Sequence, residues 1–551
     1  MYKKLNNSII KYFLFIFFIS FVVVGYFIFK DYSIYIDDPF HRTAGYFWLI
    51  YILDTFSLNF EILQNLKSQI KDMEYYYDLV DGRLLYYGAI FDTLIAFFNN
   101  NFDYLNLGNP FHVKHFINYI IFIISGVFYY NIILDRFKNK NLALLSSFIY
   151  FTSPRIFAES FYNSKDILFM SLTVMVIYYM IKLFQNFNFK NILLLSLLLA
   201  IAIQVRILGI YLLVLFLSFL FFSYLEKDFK IGNNLFKLFS FLIICPFLTV
   251  FFWPYLWSDP ISNFIQIFIT FSKYHWAGEV LYLGSYVSGQ SLPWHYIPVW
   301  VLITTPPLFL ILFLHGFIKV LQKLGENILN LESTNKFWNS QEEKKDFFFL
   351  FFLITPIFMI ILLNSTLYGG WRHLYFIYPG LVYFMIFSAE IIFKMFKNKI
   401  YKTFVFTIFI VALITNIVNL IKLHPYQNIY FNFLVEKRAN ELFEIDYWGL
   451  GNAESLRQII FDADKNKLNK VQVRTASFTP LNYTKLIMSE SENERLILTG
   501  TKHLNQDYIF TNRVYERNPK FLKKYRIPDN YKKIFVLRRG NVVINEIYKK
   551  N

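Results

Sequence analysis

Long apolar runs recur along this chain as far as about residue 421, and they limit its possible folds more than any other feature. A helix of roughly 20 apolar residues spans a hydrocarbon core of about 30 Å. By that measure about eleven crossings are expected. They fall near 9–29, 113–134, 141–160, 166–184, 190–205, 207–225, 236–256, 296–320, 347–364, 373–394 and 402–421. The expectation is an all-α polytopic membrane protein with about eleven transmembrane helices. Only 17% of the 551 residues are charged and 56% are hydrophobic, whereas a soluble globular chain carries about 25% charge. The first run has a basic flank (Lys3, Lys4, Lys11) like a signal peptide. Its apolar stretch is too long for one and no small-residue cleavage site follows, so it reads as an anchor. The 190–225 stretch reads as two helices breaking around Arg206 and Gly209.

The net charge of +16 would suggest nucleic acid in a soluble protein. Here the lysines sit in short loops between apolar runs, as the positive-inside rule requires, and no nucleic-acid partner is expected. A cytoplasmic N-terminus places those lysines on one side. The other side then carries a first loop at about 30–112, a second at about 257–295, and a polar tail over 422–551. The tail, with a helical run at Glu454–Phe461 and strand-like runs at Lys470–Arg474, Arg495–Thr499 and Ile534–Arg538, reads as a small extramembrane α/β domain. The charged 322–346 loop reads as a solvated cytoplasmic connector. The single cysteine, Cys245, excludes an intrachain disulfide and a cysteine metal site.

Seven histidines fall at the outer boundary of this topology: His41, His112, His115, His275, His295, His373 and His424. Ionisable groups at membrane depth are usually functional, so the clustering suggests a polar cavity opening outward. Asp37-Asp38-Pro39-Phe40-His41-Arg42 follows the first crossing. Adjacent carboxylates at a lipid boundary cost desolvation energy unless paired or used. They suit a general base acting on an acceptor hydroxyl, or an acidic cap on an interfacial helix starting near Thr43. Ser153-Pro154-Arg155 and Asn163-Ser164-Lys165-Asp166 form an outer turn. Its Arg155 and Lys165 could neutralise a phosphate, or Asn163 and Ser164 could simply cap a helix. Arg206 interrupts an apolar run, either snorkelling to the interface or binding phosphate at a broken helix. In Tyr368-Gly369-Gly370-Trp371-Arg372-His373 the glycines permit a tight turn. Arg372 offers a planar fork to phosphate oxygens, and Trp371 an interface anchor or a platform for a sugar ring.

In these residues the chain resembles the GT-C fold membrane glycosyltransferases that use polyprenyl-phosphate sugars, the bacterial branch related to protein O-mannosyltransferases (glycosyltransferase family 39). That family places an acidic pair, usually Asp-Glu, in the first outer loop; here it is Asp37-Asp38, with His41 following. The turn at Ser153–Asp166 resembles the branch's Pro-Arg…Asn-Pro-Lys-Asp stretch, with Ser164 in place of proline. Tyr368–His373, His424-Pro425-Tyr426-Gln427 and Asp446-Tyr447-Trp448-Gly449 also resemble branch motifs. The resemblance implies a transferase domain over 1–421 and a periplasmic or exterior soluble domain over 422–551, in the cytoplasmic (inner) membrane. It implies transfer of a sugar from a polyprenyl-phosphate donor to an acceptor glycan, lipid or protein, with inversion. Asp37 and Asp38 would be catalytic. His41, Arg155, Lys165, Arg206, Trp371, Arg372 and His373 would bind the lipid phosphate or sugar. Asp37, Asp38, His41 and a distant histidine leave a divalent metal open, without a recognisable closed-site spacing. The rival readings are a transporter or lipid flippase, against which stand the large outer loops and the lack of clear inverted repeats, and a polysaccharide polymerase or ligase.

Overall fold

A computed structural model describes residues 2–551 apart from 59, 83, 102–107, 273, 275, 335, 396–397, 504 and 516–517. Eight of its helices are long and apolar enough to cross a bilayer: Tyr12–Asp31, Pro110–Phe137, Asp166–Gln185, Asn234–Phe252, Pro307–Leu329, Gln341–Leu362, Arg372–Met395 and Lys399–Leu423. Two further apolar helices, Phe189–Val205 and Gly209–Leu225, have 17 residues each. The chain is an integral membrane protein. Large apolar side chains such as Phe236, Ile400 and Phe404 lie on the surface of these helices, where a bilayer rather than water would cover them.

The count falls short of eleven for local reasons. The expected 141–160 crossing is two helices, Lys140–Thr152 and Pro154–Tyr162. Ser153 between them is extended, because a residue before proline is pushed out of the helical region. The expected 296–320 crossing likewise divides into Tyr296–Thr304 and Pro307–Leu329 around Thr305-Pro306. The 190–225 stretch breaks at Arg206, which has extended backbone, and resumes at Gly209.

One expectation about the opposite end of the bundle is corrected in part. Most of the 322–346 segment is exposed or half-buried, as a solvated connector would be, but its last four residues are not. The helix before it runs to Leu329, the next begins at Gln341, and Glu343, Lys344, Lys345 and Asp346 are all buried. Charges can be buried there because each has company. Arg136 forks onto Asp346 with both distances at 2.7 Å, Lys345 meets Asp135 at 2.6 Å, and Lys323 meets Glu343 at 3.0 Å. The Lys344 ammonium lies over the rings of Phe184 and Trp338.

The first loop folds into helices. Asp38–Thr55 packs on Ile90–Asn101 and shares a small core with Phe60–Gln69 through Leu49, Leu53, Leu63 and Leu66. The second loop contains a hairpin, β1 (Glu279–Tyr282) with β2 (Ser285–Ser288). The tail contains the helix Asn452–Lys465 and the strands β3 (Val471–Thr475), β4 (Leu496–Thr499), β5 (Tyr508–Thr511), β6 (Tyr531–Arg539) and β7 (Val542–Lys550). Their order is β4-β3-β5-β7-β6, with β3 parallel to both β4 and β5 and the β7 pairings antiparallel. Leu456, Ile459, Val473, Phe510 and Ile547 form a separate core between helix and sheet.

Candidate functional site

Charged side chains from the first loop, four helix ends and the Gly369-Gly370 turn converge at the end of the bundle that carries the tail. Asp38 is fully buried and accepts from Lys114 Nζ at 2.9 Å, with His115 Nε2 3.6 Å from its second oxygen. Lys114 also reaches Asp92 at 2.9 Å. Lys165 approaches the other Asp92 oxygen at 3.4 Å and donates to the Gly88 carbonyl at 2.5 Å, while His41 Nδ1 stands 3.9 Å from the same carboxylate. Burial works against charge on Asp92, but Lys114, Lys165 and His41 outweigh it and hold the carboxyl at about 2. Burial moves His41 well below the ordinary imidazole range, and it lowers Lys165 against the pull of Asp92.

Asp166 is the second centre. Arg206 Nη2 donates to one of its oxygens, and Arg372 Nη1 reaches the other at 3.3 Å. Asn163 donates to Asp166 at 3.0 Å, and its own Oδ1 accepts the Asp166 amide at 2.9 Å. The capping reading of Asn163 therefore holds, and the cap also fixes the carboxylate that joins two guanidinium groups. Arg206 is engaged at the helix break rather than extended toward lipid. The turn before Arg372 needs its glycines, since Gly369 and Gly370 have φ of +67° and +71°. A Cβ on Gly369 would stand 3.0 Å from Arg372 Nε. The Gly369 amide donates to Glu444 at 3.0 Å.

Asp37 differs from its neighbours. It occupies the N-cap position of Asp38–Thr55 without making a side-chain cap bond, and the helix begins there rather than near Thr43. Among the described residues its half-buried carboxylate has no hydrogen bond or ion pair. Burial pushes the carboxyl up, and Arg372 opposes the shift most strongly; Asp166 and Asp38 raise it further, and Arg206 lowers it. The carboxylates Asp38, Asp92 and Asp166 are engaged by Lys114, Lys165, Arg206 and Arg372, whereas Asp37 is not.

Not every expected residue joins this group. Arg155 lies over Trp300 and Phe431, at 5.3 and 5.6 Å from the ring centroids. Trp371 is 3% exposed, donates to Thr304 at 3.0 Å and packs edge-on against Tyr375, so it has no free face for a sugar. His373 is half-buried and packs edge-on against Tyr368. The histidines do not share one cavity. His295 contacts Tyr282 on the hairpin and His424 contacts Asp31, each from a ring nitrogen. His112 lines a separate cavity of about 310 Å³ with Lys30, Asp31, Glu454 and Arg457. His275 lies outside the described residues. No group of three or more His, Cys, Asp and Glu among the described residues could hold a metal. Asp38 and His41 already face Lys114, His115 and Asp92, so these residues do not fit the divalent ion left open above.

Sequence reasoning missed Asp92 and Lys114. Lys114 stands in the otherwise apolar Pro110–Phe137 helix, the same anomaly that drew attention to Arg206. Asp92 carried no such signal, because it lies in the first loop, where a single carboxylate does not stand out.

The family model of dolichyl-phosphate-mannose-protein mannosyltransferases matches residues 95–253, a segment that includes Lys114, Arg155, Lys165, Asp166 and Arg206. This match bears out the resemblance to GT-C membrane glycosyltransferases drawn from the motifs. No curated protein matches the chain. Among solved structures, the oligosaccharyltransferase AglB of Archaeoglobus fulgidus, in complex with an inhibitory peptide and a dolichol-phosphate, aligns at 12% identity with a TM-score of 0.44, over 85% of this chain and 66% of that one. ArnT of Cupriavidus metallidurans bound to undecaprenyl phosphate aligns at 11% identity with a TM-score of 0.40, over 80% of this chain and 87% of that one. The chain thus spans just under two thirds of the archaeal enzyme's length.

Proposed function

We propose that this protein is an inverting membrane glycosyltransferase that moves a sugar from a polyprenyl phosphate to an acceptor hydroxyl at the periplasmic or exterior face. The observation that carries the reading is Asp37, a half-buried carboxylate without a partner among the described residues, subject to the charges of Arg372 and Arg206. That combination suits a displacement at an anomeric carbon. The acceptor oxygen forms a bond to the carbon as the bond to the donor phosphate oxygen breaks. The bonding pair leaves with the phosphate, and Asp37 takes the acceptor's proton. Arg206 and Arg372, held together by Asp166, stabilise the charge that grows on the departing phosphate. Lys165, directed at Asp92 and Gly88, supports the site electrostatically. Asp38, bound to Lys114, positions the start of the helix rather than taking a proton. A domain boundary near 421/422 and a hexosyl or pentosyl donor belong to the same proposal, and the acceptor is a glycan, lipid or protein hydroxyl.

A general base contributes about 10²–10⁴-fold, so Asp37→Asn should lower transfer by that factor. The test incubates membranes carrying wild-type or Asp37→Asn protein with radiolabelled polyprenyl-phosphate sugars. Equal transfer by the two would remove Asp37 from the mechanism. No transfer by wild type from any donor would overturn the transferase reading in favour of transport.

A further inference from the structure

Aromatic rings crowd the Arg372 guanidinium. Its central carbon lies 4.6 Å from the Tyr368 centroid and 4.4 Å from that of Trp448, with Tyr447 at 5.7 Å. The stack continues outward, since Trp276 lies parallel to Tyr368 with centroids 4.4 Å apart and 20° between the planes. Trp276, Tyr368, Arg372 and Trp448 thus form one ladder built from three separate segments.

The Trp276 end of the ladder is tightly held. A Cβ on Gly278 or Gly289 would stand 2.2 or 2.6 Å from the Trp276 ring. The Gly289 amide donates to Gly278 at 3.1 Å, and the Leu367 amide donates to Gly289 at 3.0 Å, next to Tyr368. The Thr366 hydroxyl donates to the Tyr274 carbonyl at 2.9 Å. The adjoining hairpin is fixed to the segment leading into Trp448, with Gly284 donating to Leu442 at 3.0 Å and Glu444 to Leu281 at 3.3 Å.

A guanidinium donates only in its own plane, so rings packed against Arg372 bear on where its hydrogen bonds point. One in-plane donor is on Asp166, while Nε is buried without a partner among the described residues. We infer that Trp276 is a positioning residue for the transfer reaction: through Tyr368 it fixes the plane of Arg372, so that the guanidinium edge is presented to the donor's phosphate. The hairpin segment and the start of the tail thereby set the geometry of the leaving-group site from outside the helix bundle. The inference rests on the transferase reading.

The test uses full-length protein in detergent with undecaprenyl phosphate as the probe. Aromatic stacking is worth about 1 kcal/mol, so Trp276→Ala should weaken binding roughly fivefold, and Trp276→Phe should stay within about twofold of wild type. Trp276→Leu keeps bulk without an aromatic face and should behave as the alanine variant, which covers failure of the latter to fold. Lysine has no plane to fix, so in an Arg372→Lys background Trp276→Ala should have less than about a twofold further effect. An unchanged affinity in Trp276→Ala, or its full effect persisting in the Arg372→Lys background, overturns the inference while leaving the transferase reading intact. Absence of probe binding by wild type overturns both.

Discussion

Asp38 has Lys114 on one oxygen and His115 beside the other, whereas Asp37, its neighbour in the chain, has neither. The two carboxylates should therefore fail differently when changed. Removing one partner of a buried ion pair costs about 3–5 kcal/mol, because the other charge remains buried and unpaired. Lys114→Met takes the one lysine from Asp38 and leaves Asp92 with Lys165, and it should lower the melting temperature markedly. Asp37→Asn breaks no contact and should leave melting unchanged while transfer fails. A thermal melt of the two purified variants separates these outcomes, and a large melting shift in Asp37→Asn would assign that residue a structural role. Transfer also depends on ionised Asp37. Burial raises its pKa, so activity should be present at higher pH and be lost as pH falls through a limb centred above the ordinary aspartate value of about 3.9. A rate profile that stays flat down to pH 4 would exclude Asp37 as the base.

Among elements, the apolar runs were legible because burial in lipid requires long uninterrupted hydrophobicity. Their interruptions were only partly so. The break at Arg206 was visible as a cation in an apolar run. The breaks at Ser153-Pro154 and Thr305-Pro306 divided stretches that hydropathy alone had joined. The burial of the last residues of the 322–346 segment was not legible, because composition shows that charges are present but does not show that Arg136 and Asp346, far apart in sequence, meet side on. The same limit hid Asp92, whose role depends on lysines from two other helices. The distance between the two ends of the bundle supports a further prediction. Arg136→Leu leaves Asp346 buried with Tyr383 but without its cation, which should cost about 3–5 kcal/mol of stability. Donor KM should not change, since the donor site lies at the other end. A melt combined with a donor titration measures both, and a raised KM with normal melting would contradict this division of roles.

In the whole molecule, the tail contributes directly to the site through Trp448 and Glu444. Strand-like runs in the sequence marked β3, β4 and β6 of the tail but not β5 or β7, and its docking was not legible, since a buried glutamate accepting the Gly369 amide resembles any other acidic residue in a polar segment. Burial pushes the Glu444 carboxyl up to about 7, opposed by the Gly369 amide and by Arg372 and Arg155. Asp446, whose oxygens accept the Leu450 and Gly451 amides, is pushed up to about 6 by burial. A folded-state value above the unfolded one means that the folded protein holds the proton more tightly. The resulting stabilisation is complete below the unfolded pKa of about 4.3 and is lost as pH rises through the folded value. For Glu444 the difference is on the order of 3 kcal/mol. The melting temperature in detergent should therefore fall between pH 5 and pH 8. Glu444→Gln keeps an oxygen for Gly369 but cannot ionise, so it should flatten the upper part of that slope and leave the lower part to Asp446. A wild-type melting temperature that rises across this range would mean that Glu444 is ionised in the folded protein and paired with Arg372. The tail would then be docked by a buried ion pair rather than by a buried neutral acid, and salt should screen that pair far less than an exposed one.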